Sequence, residues 1–274
     1  YFPTRSHKKT KDGVTKSTKK VRPIMYSCHQ DAHVYAYYSN EILQPKYEEL
    51  LQKDELLNQA VIAYRSLVRE DGKGNKNNIH FAKEVFDEIK KRKHCTAILF
   101  DIENFFPTLD HKQLKATWCK TLGTKSLPKD HYNIFKSVSN FSFINLKSIK
   151  TQNGHFDEKK LADIRKEGKY SYFHNVKEFF DSDITIYKNP YKEKGIPQGL
   201  PISALLANMY MYPFDNNIVQ NLCKQKGVFY RRYSDDMIFV CEANQVDEIK
   251  EYIQNAIEDI KLTISPDKTE VISF

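Results

Sequence analysis

Apolar positions along this chain recur with two periods, and the switches between them mark its elements. Ala97-Ile98-Leu99-Phe100 is an unbroken apolar run closed by Asp101 and Ile102, which predicts a buried strand. Phe229-Tyr230-Arg231-Arg232-Tyr233 and Met237-Ile238-Phe239-Val240 are β-prone runs on either side of Ser234-Asp235-Asp236. They predict a hairpin with negative charge at its tip. Helical spacing joins Tyr38 and Ile42, then Tyr47, Leu50 and Leu51, so residues 29–70 read as largely helical, interrupted at Pro45. Amphipathic helices follow at 79–91, whose basic end at Lys90 to Lys93 suits the helix dipole, and at 245–260. Asp110-His111 and Leu114 open another helix, and 204–212 is an apolar one. Further strands are expected at 184–187, 261–264 and 270–274. Residues 120–194 are Lys-rich, carry an Asn153-Gly154 turn signal and read as partly irregular.

Strand, helices, hairpin, helix and strand in that order suit an antiparallel sheet backed by helices, an α+β fold. The 274 residues can bury a sizeable core. Charge adds a partner class: 43 Lys and Arg against 35 Asp and Glu give +8 and a pI near 9.0, which points to a polyanion. Much of that charge lies in residues 5–22, around Asp12-Gly13, a turn signal, so the segment reads as either a solvated basic tail or a basic hairpin. No run is long and apolar enough to span a membrane, and no signal peptide is visible. Five scattered cysteines without a Cys-x-x-Cys pair read as free thiols of a reducing cytoplasm. The chain opens on Tyr1 rather than Met, so a preceding piece is expected.

The candidate chemistry sits on the acidic ends of the apolar strands. Asp235 and Asp236 repel each other, and they persist together when a cation lies between them and a third acid, Asp101. Hard oxygen donors suit Mg²⁺, and phosphoryl transfer is the reaction that most often uses such a site. Between the acidic strands runs Gly195-Ile196-Pro197-Gln198-Gly199-Leu200-Pro201-Ile202-Ser203, a Gly/Pro-rich loop that lets backbone approach a ligand. Cys28, His29 and His33 are an incomplete metal-ligand set, and the loop 71–78 lacks the Gly-Lys-Ser/Thr ending of a P-loop.

These segments, in this order, resemble motifs A to D of the reverse transcriptases: Asp101 with Phe105-Phe106, then Pro197-Gln198-Gly199 with Pro201-Ile202-Ser203, then Tyr233-Ser234-Asp235-Asp236, then Leu262 to Thr269. The resemblance covers about Lys8 to Phe274 and implies a right-hand polymerase fold. Fingers would occupy 1–95 and a ferredoxin-like palm 96–274, with a fingers-side insertion around 120–194. No thumb is seen in this sequence.

The resemblance implies RNA-directed DNA synthesis from dNTPs with two Mg²⁺ ions, or Mn²⁺ in their place. Asp101, Asp235 and the backbone carbonyl of Ile102 would hold the metal, and Asp236, pointing elsewhere in an extended turn, would be a weaker ligand. Phe106 would exclude a ribose 2′-hydroxyl, and Gln198 would lie against the incoming sugar. Arg22, in Arg22-Pro23-Ile24, would clamp the triphosphate with Lys8, Lys9 or Lys11. Tyr233 would sit at the primer terminus, and Arg65 and Lys73 would touch template or primer. Lys268 would protonate the pyrophosphate, and His111 would be structural rather than a base. Phe105-Phe106-Pro107 with Leu109-Asp110-His111 resembles prokaryotic enzymes such as those of retrons and group II introns. Arg22-Pro23-Ile24, His29-Gln30-Asp31-Ala32 and Ala63-Tyr64-Arg65 lean towards the defence-associated group, which implies a co-encoded noncoding RNA as template, with a second copy or an accessory protein admitted as partner. Untemplated or protein-primed DNA synthesis, RNA synthesis and an idle RNA-binding scaffold are the rival readings.

Overall fold

Apolar runs set the core of this protein, and the polar breaks between them set its turns. The structure, a computed structural model, describes residues 4–11, 14–21, 23–145, 158–169, 173, 175–182 and 184–274. It divides into two compact units, one of Tyr1–Tyr26 with Asn140–Lys192 and one of Ser27–Ser139 with Glu193–Phe274. The boundary expected at 95/96 does not coincide with this division.

The second unit is built on a four-stranded sheet of β3 (Thr96–Asp101), β6 (Phe229–Tyr233), β7 (Asp236–Cys241) and β8 (Glu270–Ser273). The order is β6-β7-β3-β8 and every pairing is antiparallel. Strand alternation sends Ile98, Phe100, Met237 and Phe239 into one large cluster with helical side chains. Ala97 and Val240, on the other face, pack with Ile89 of α4 (Asn78–Arg92). This is the helix-backed antiparallel sheet expected of the polymerase palm.

The helix most central to the core is α10 (Ser203–Ile218), buried on nearly every side from Leu205 to Phe214, as its largely apolar sequence requires. It outruns the expected 204–212: Pro213 lies inside it, and a π-helical turn follows at Val219–Cys223. The amphipathic helix expected at 245–260 is α12 (Val246–Asp259), whose Ile249, Ile253 and Ile257 are fully buried.

The N-terminal helices of this unit join the same core through Tyr35, Leu43, Tyr47, Leu51 and Leu57. They are α1 (His29–Tyr37), α2 (Gln44–Leu51) and α3 (Glu55–Ala60). Pro45 does not interrupt them. It stands in the first turn of α2, directly after a π-helical turn at Tyr38–Leu43 that carries the chain from α1. The wider turn absorbs the amide that proline lacks. Cys28 accepts from Asp31 N–H at 3.5 Å as the cap of α1, so it has a structural use. Residues 261–264 do not form the expected strand; Ile264 makes an isolated bridge to Ile102.

In the first unit, β1 (Thr4–Lys11) and β2 (Val14–Val21) pair antiparallel from Thr4↔Val21 to Lys11↔Val14, the hairpin expected of the basic segment. β4 (Ser142–Ile144) pairs with β5 (Ile186–Lys188), close to the strand expected at 184–187. No helix among the described residues is long and apolar enough to cross a membrane.

Candidate active site

Strand register brings three acidic residues, Asp101, Asp235 and Asp236, to one end of the sheet. β6 and β7 are joined by a two-residue turn, Ser234-Asp235, closed by Tyr233↔Asp236. Ser234 takes φ +61°, the left-handed geometry such tight turns demand. β7 then runs beside β3 so that Asp236 stands directly opposite Asp101. Directly opposed residues leave the same face of a sheet, so the register sets Asp236 on the face of Asp101. Asp235 occupies the turn itself, and its carbonyl accepts from Ile102 N–H at 3.2 Å.

Asp101 is a carboxylate at the end of an apolar strand, a costly place for an unpaired charge. Its Oδ2 accepts from Ser265 Oγ at 3.1 Å and is ion-paired with Lys268 Nζ. Ser265 N–H also donates to the Asp101 carbonyl at 2.8 Å, so the 265–268 segment is fixed to the end of β3. The sequence did not single out Ser265. Among the described residues, no three His, Cys, Asp or Glu side chains converge to hold an ion by themselves. The donor chemistry still fits a hard cation: the acids are oxygen ligands, and Asp101 already binds a positive group.

The loop leading into α10 is fastened beside this end. Gly195 N–H donates to Leu109 O at 2.8 Å and Ile196 N–H to Phe106 O at 3.1 Å. Gly195 has φ +84°, and a Cβ there would lie 2.8 Å from the Pro107 carbonyl oxygen, so only glycine allows the approach. His111, in α6 (His111–Leu122), donates through Nε2 to the Gly195 carbonyl at 2.8 Å, the structural part expected of it. Ser203 Oγ donates to the Pro197 carbonyl at 2.5 Å. Half-buried Gln198 and half-buried Phe106 therefore belong to two segments hydrogen-bonded to each other. Phe106 lies in the single turn α5 (Phe105–Thr108), with its ring 5.6 Å from that of buried Phe105.

Behind the Ser234-Asp235 turn lies a charge network that the sequence reading missed. Arg232 and Asp215 are both fully buried and paired, Nη2 to Oδ2 at 2.6 Å and Nε to Oδ1 at 2.8 Å. Arg232 Nη1 also donates to Asn208 Oδ1 and to the Ser234 carbonyl, each at 3.0 Å. Tyr230 OH donates to Asp215 Oδ1 at 2.7 Å. Burial alone works against the guanidinium charge, but the Asp215 carboxylate outweighs it and holds Arg232 more firmly protonated than a free arginine. Burial, then the same carboxylate, pushes the Tyr230 phenol well above its ordinary range. Charged residues inside two apolar runs were the available signal, because such residues survive burial only as partners.

Of the other expected contacts, Arg22 lies outside the described residues. Tyr233 is 37% exposed at the end of β6. Lys73 is exposed in the loop between α3 and α4, its N–H donating to Asp71 Oδ1 at 2.9 Å. Arg65 corrects its expectation. Its side chain is 1% exposed, paired with Glu48, and donates to the Asn58 and Val61 carbonyls, each at 2.7 Å. With Asn58 Oδ1 also accepting, its five donors are all engaged inside the protein, leaving none for a nucleic-acid phosphate.

Fold and site together define a palm of the right-hand polymerases, with an acidic strand end facing a Gly/Pro-rich loop. The chain belongs to the reverse transcriptase (RNA-dependent DNA polymerase) family, which it matches over residues 8–273. Its fold is similar to apo telomerase from Candida tropicalis truncated from the C-terminal domain, at 13% identity and TM-score 0.53, covering 99% of this chain and 50% of that one. It is also similar to telomerase from Candida albicans in complex with a TWJ fragment of telomeric RNA, at 12% identity and TM-score 0.50, covering 97% of this chain and 41% of that one. The chain thus spans half or less of the length of these telomerases. No curated protein sequence matches it significantly.

Proposed function

We propose that this chain is an RNA-directed DNA polymerase that extends a primer 3′-hydroxyl with dNTPs. The observation that carries the reading is the register that sets Asp101 opposite Asp236 with Asp235 in the adjoining turn, beside the tethered Phe106 and Gln198 segments. Asp101 and Asp235, with the Ile102 carbonyl and with Asp236 opposite, would hold Mg²⁺ or Mn²⁺. Bound there, the metal supplies a lowered hydroxyl pKa and neutralises charge on the leaving pyrophosphate.

The chain's own residues do the rest. Phe106 fills the space of a ribose 2′-hydroxyl, and Gln198 supports the sugar. Tyr233 meets the primer end, and Lys268, held at Asp101, gives a proton to the departing pyrophosphate. Arg22 and the basic hairpin take the triphosphate, as guanidinium geometry suits phosphate. The hairpin belongs to the fingers and the sheet to the palm. The test is incorporation of labelled dNTPs or NTPs by purified protein with Mg²⁺, with and without RNA template. Template-dependent use of dNTPs is expected. Synthesis without template supports the untemplated reading instead, and preference for NTPs the RNA polymerase reading.

The biological setting proposed is cytoplasmic antiphage defence with a co-encoded noncoding RNA as template. It is supported by the sequence phrases Arg22-Pro23-Ile24, His29-Gln30-Asp31-Ala32 and Ala63-Tyr64-Arg65. Sequencing of RNA and DNA copurified from cells, with phage plating on expressing cells, tests it. Protection that survives Asp101→Asn would count against it.

A further inference from the structure

Tyr64 is a half-exposed tyrosine in a backbone conformation that tyrosine disfavours. Its φ is +58°, and the residue is 47% exposed. The conformation is imposed from both sides. Ile62 N–H donates to the Arg232 carbonyl at 3.1 Å, and Asn208 Nδ2 donates to the Ala63 carbonyl at 2.8 Å. Arg65, the next residue, is locked by Glu48. Strain held this firmly to keep a large ring in solvent is not explained by core packing, and such strain collects at functional sites.

The ring stands at the catalytic turn. Tyr64 OH bonds to Ser234 Oγ at 3.3 Å, and its ring centroid lies 6.2 Å from that of Tyr233, with the planes tilted by 44°. Two exposed rings therefore form an open angle where Tyr233 stands two residues before Asp235. A phosphate would meet the field of Asp101, Asp235 and Asp236 there. A nucleobase brings no such charge, and every base offers a π face to an aromatic ring. The 3′-hydroxyl that reacts must reach those carboxylates, so the nucleotide nearest this angle is the one that carries it.

We infer that Tyr64 and Tyr233 together form a platform for the 3′-terminal base of the primer strand, with Tyr64 a positioning residue for that nucleotide. The inference rests on the polymerase reading, and its test separates the two. A primer–template carrying 2-aminopurine at the primer 3′ end is bound to the protein, and its emission is followed without dNTP. Stacking on wild type quenches the probe. Tyr64→Phe keeps the π face and retains the quench. Tyr64→Leu keeps bulk and backbone but loses the face; it should lose most of the quench and raise the primer KM roughly tenfold, with a smaller change in kcat. A probe three nucleotides upstream should respond equally in all three proteins, and thermal unfolding confirms that each is folded. Equal quenching by wild type and Tyr64→Leu, loss of quench in Tyr64→Phe, or no quench in wild type overturns the platform. Robust incorporation together with any of these leaves the polymerase reading standing. Tyr64-dependent quenching without incorporation keeps the platform and removes that reading.

Discussion

Asp101 shows how local contacts position a single side chain for chemistry. Its carboxylate is kept at the end of an apolar strand by Lys268 and Ser265, and these contacts also aim it. Asp101→Asn or Asp235→Asn should cut incorporation by several decades, because either removes a full ligand charge. Their melting temperatures should stay close to wild type; unimpaired incorporation by purified Asp235→Asn would remove it from the site. Phe106→Ala should lower the ratio of kcat/KM for dGTP over GTP, since steric exclusion by one ring has no substitute in a packed site. An unchanged ratio would assign sugar selection elsewhere. Arg65→Ala should destabilise by about 3 kcal/mol, as for a broken buried pair, and leave the primer–template affinity of the folded protein unchanged. The placing of the acids at the ends of apolar strands was legible because short sequence strings carry it. Arg65 was misread because its partner Glu48 lies 17 residues away, across a turn that no local pattern reveals. The facing of Asp236 was hidden because it depends on a two-residue turn and the register that follows from it.

Elements were legible where one period ran long enough. β3, the β6–β7 hairpin, α4 and α12 fall where periodicity sets them, within the usual drift at their ends, and α10 starts where expected but runs on to Ile218. The helix α7 (Lys129–Ser139) lay unread within a Lys-rich stretch, although it buries His131, Phe135 and Val138. Residues 261–264 read as a strand because they are β-prone, but they serve as the bridge that holds 265–268 against Asp101. The Arg232–Asp215 pair links three elements: β6, the turn after it through Ser234, and α10, which also carries Asn208. Arg232→Met or Asp215→Leu alone should cost roughly 3–5 kcal/mol by stranding a buried charge. The double variant should regain much of that, since apolar packing replaces buried pairs well. Incorporation should not recover with it, because the hydrogen bonds from Arg232 to Ser234 O and Asn208 are gone. Full recovery of both in urea melts and primer extension would make the pair a matter of stability alone.

Charge divides between the two compact units in a way that no single element shows. The unit of residues 1–26 and 140–192 carries 18 Lys and Arg against 8 Asp and Glu, a net +10. The unit holding Asp101, Asp235 and Asp236 carries 25 against 27, a net −2, so together they give the +8 of the chain. Phosphate binding releases condensed counterions, and the slope of log affinity against log salt falls by about 0.9 for each phosphate contact on duplex DNA. The two units therefore make separable demands on a nucleic-acid partner. Lys8, Lys9 and Lys16 changed together to Gln should flatten that slope for a primer–template by up to three contacts' worth. The set Lys125, Lys129 and Lys250 to Gln lowers the net charge of +8 by the same three charges but should leave the slope near wild type. Titrations of a labelled primer–template at four or five salt concentrations measure both. If the two sets flatten the slope equally, the charge acts through its total rather than its place, and the basic unit has no special part in holding the nucleic acid.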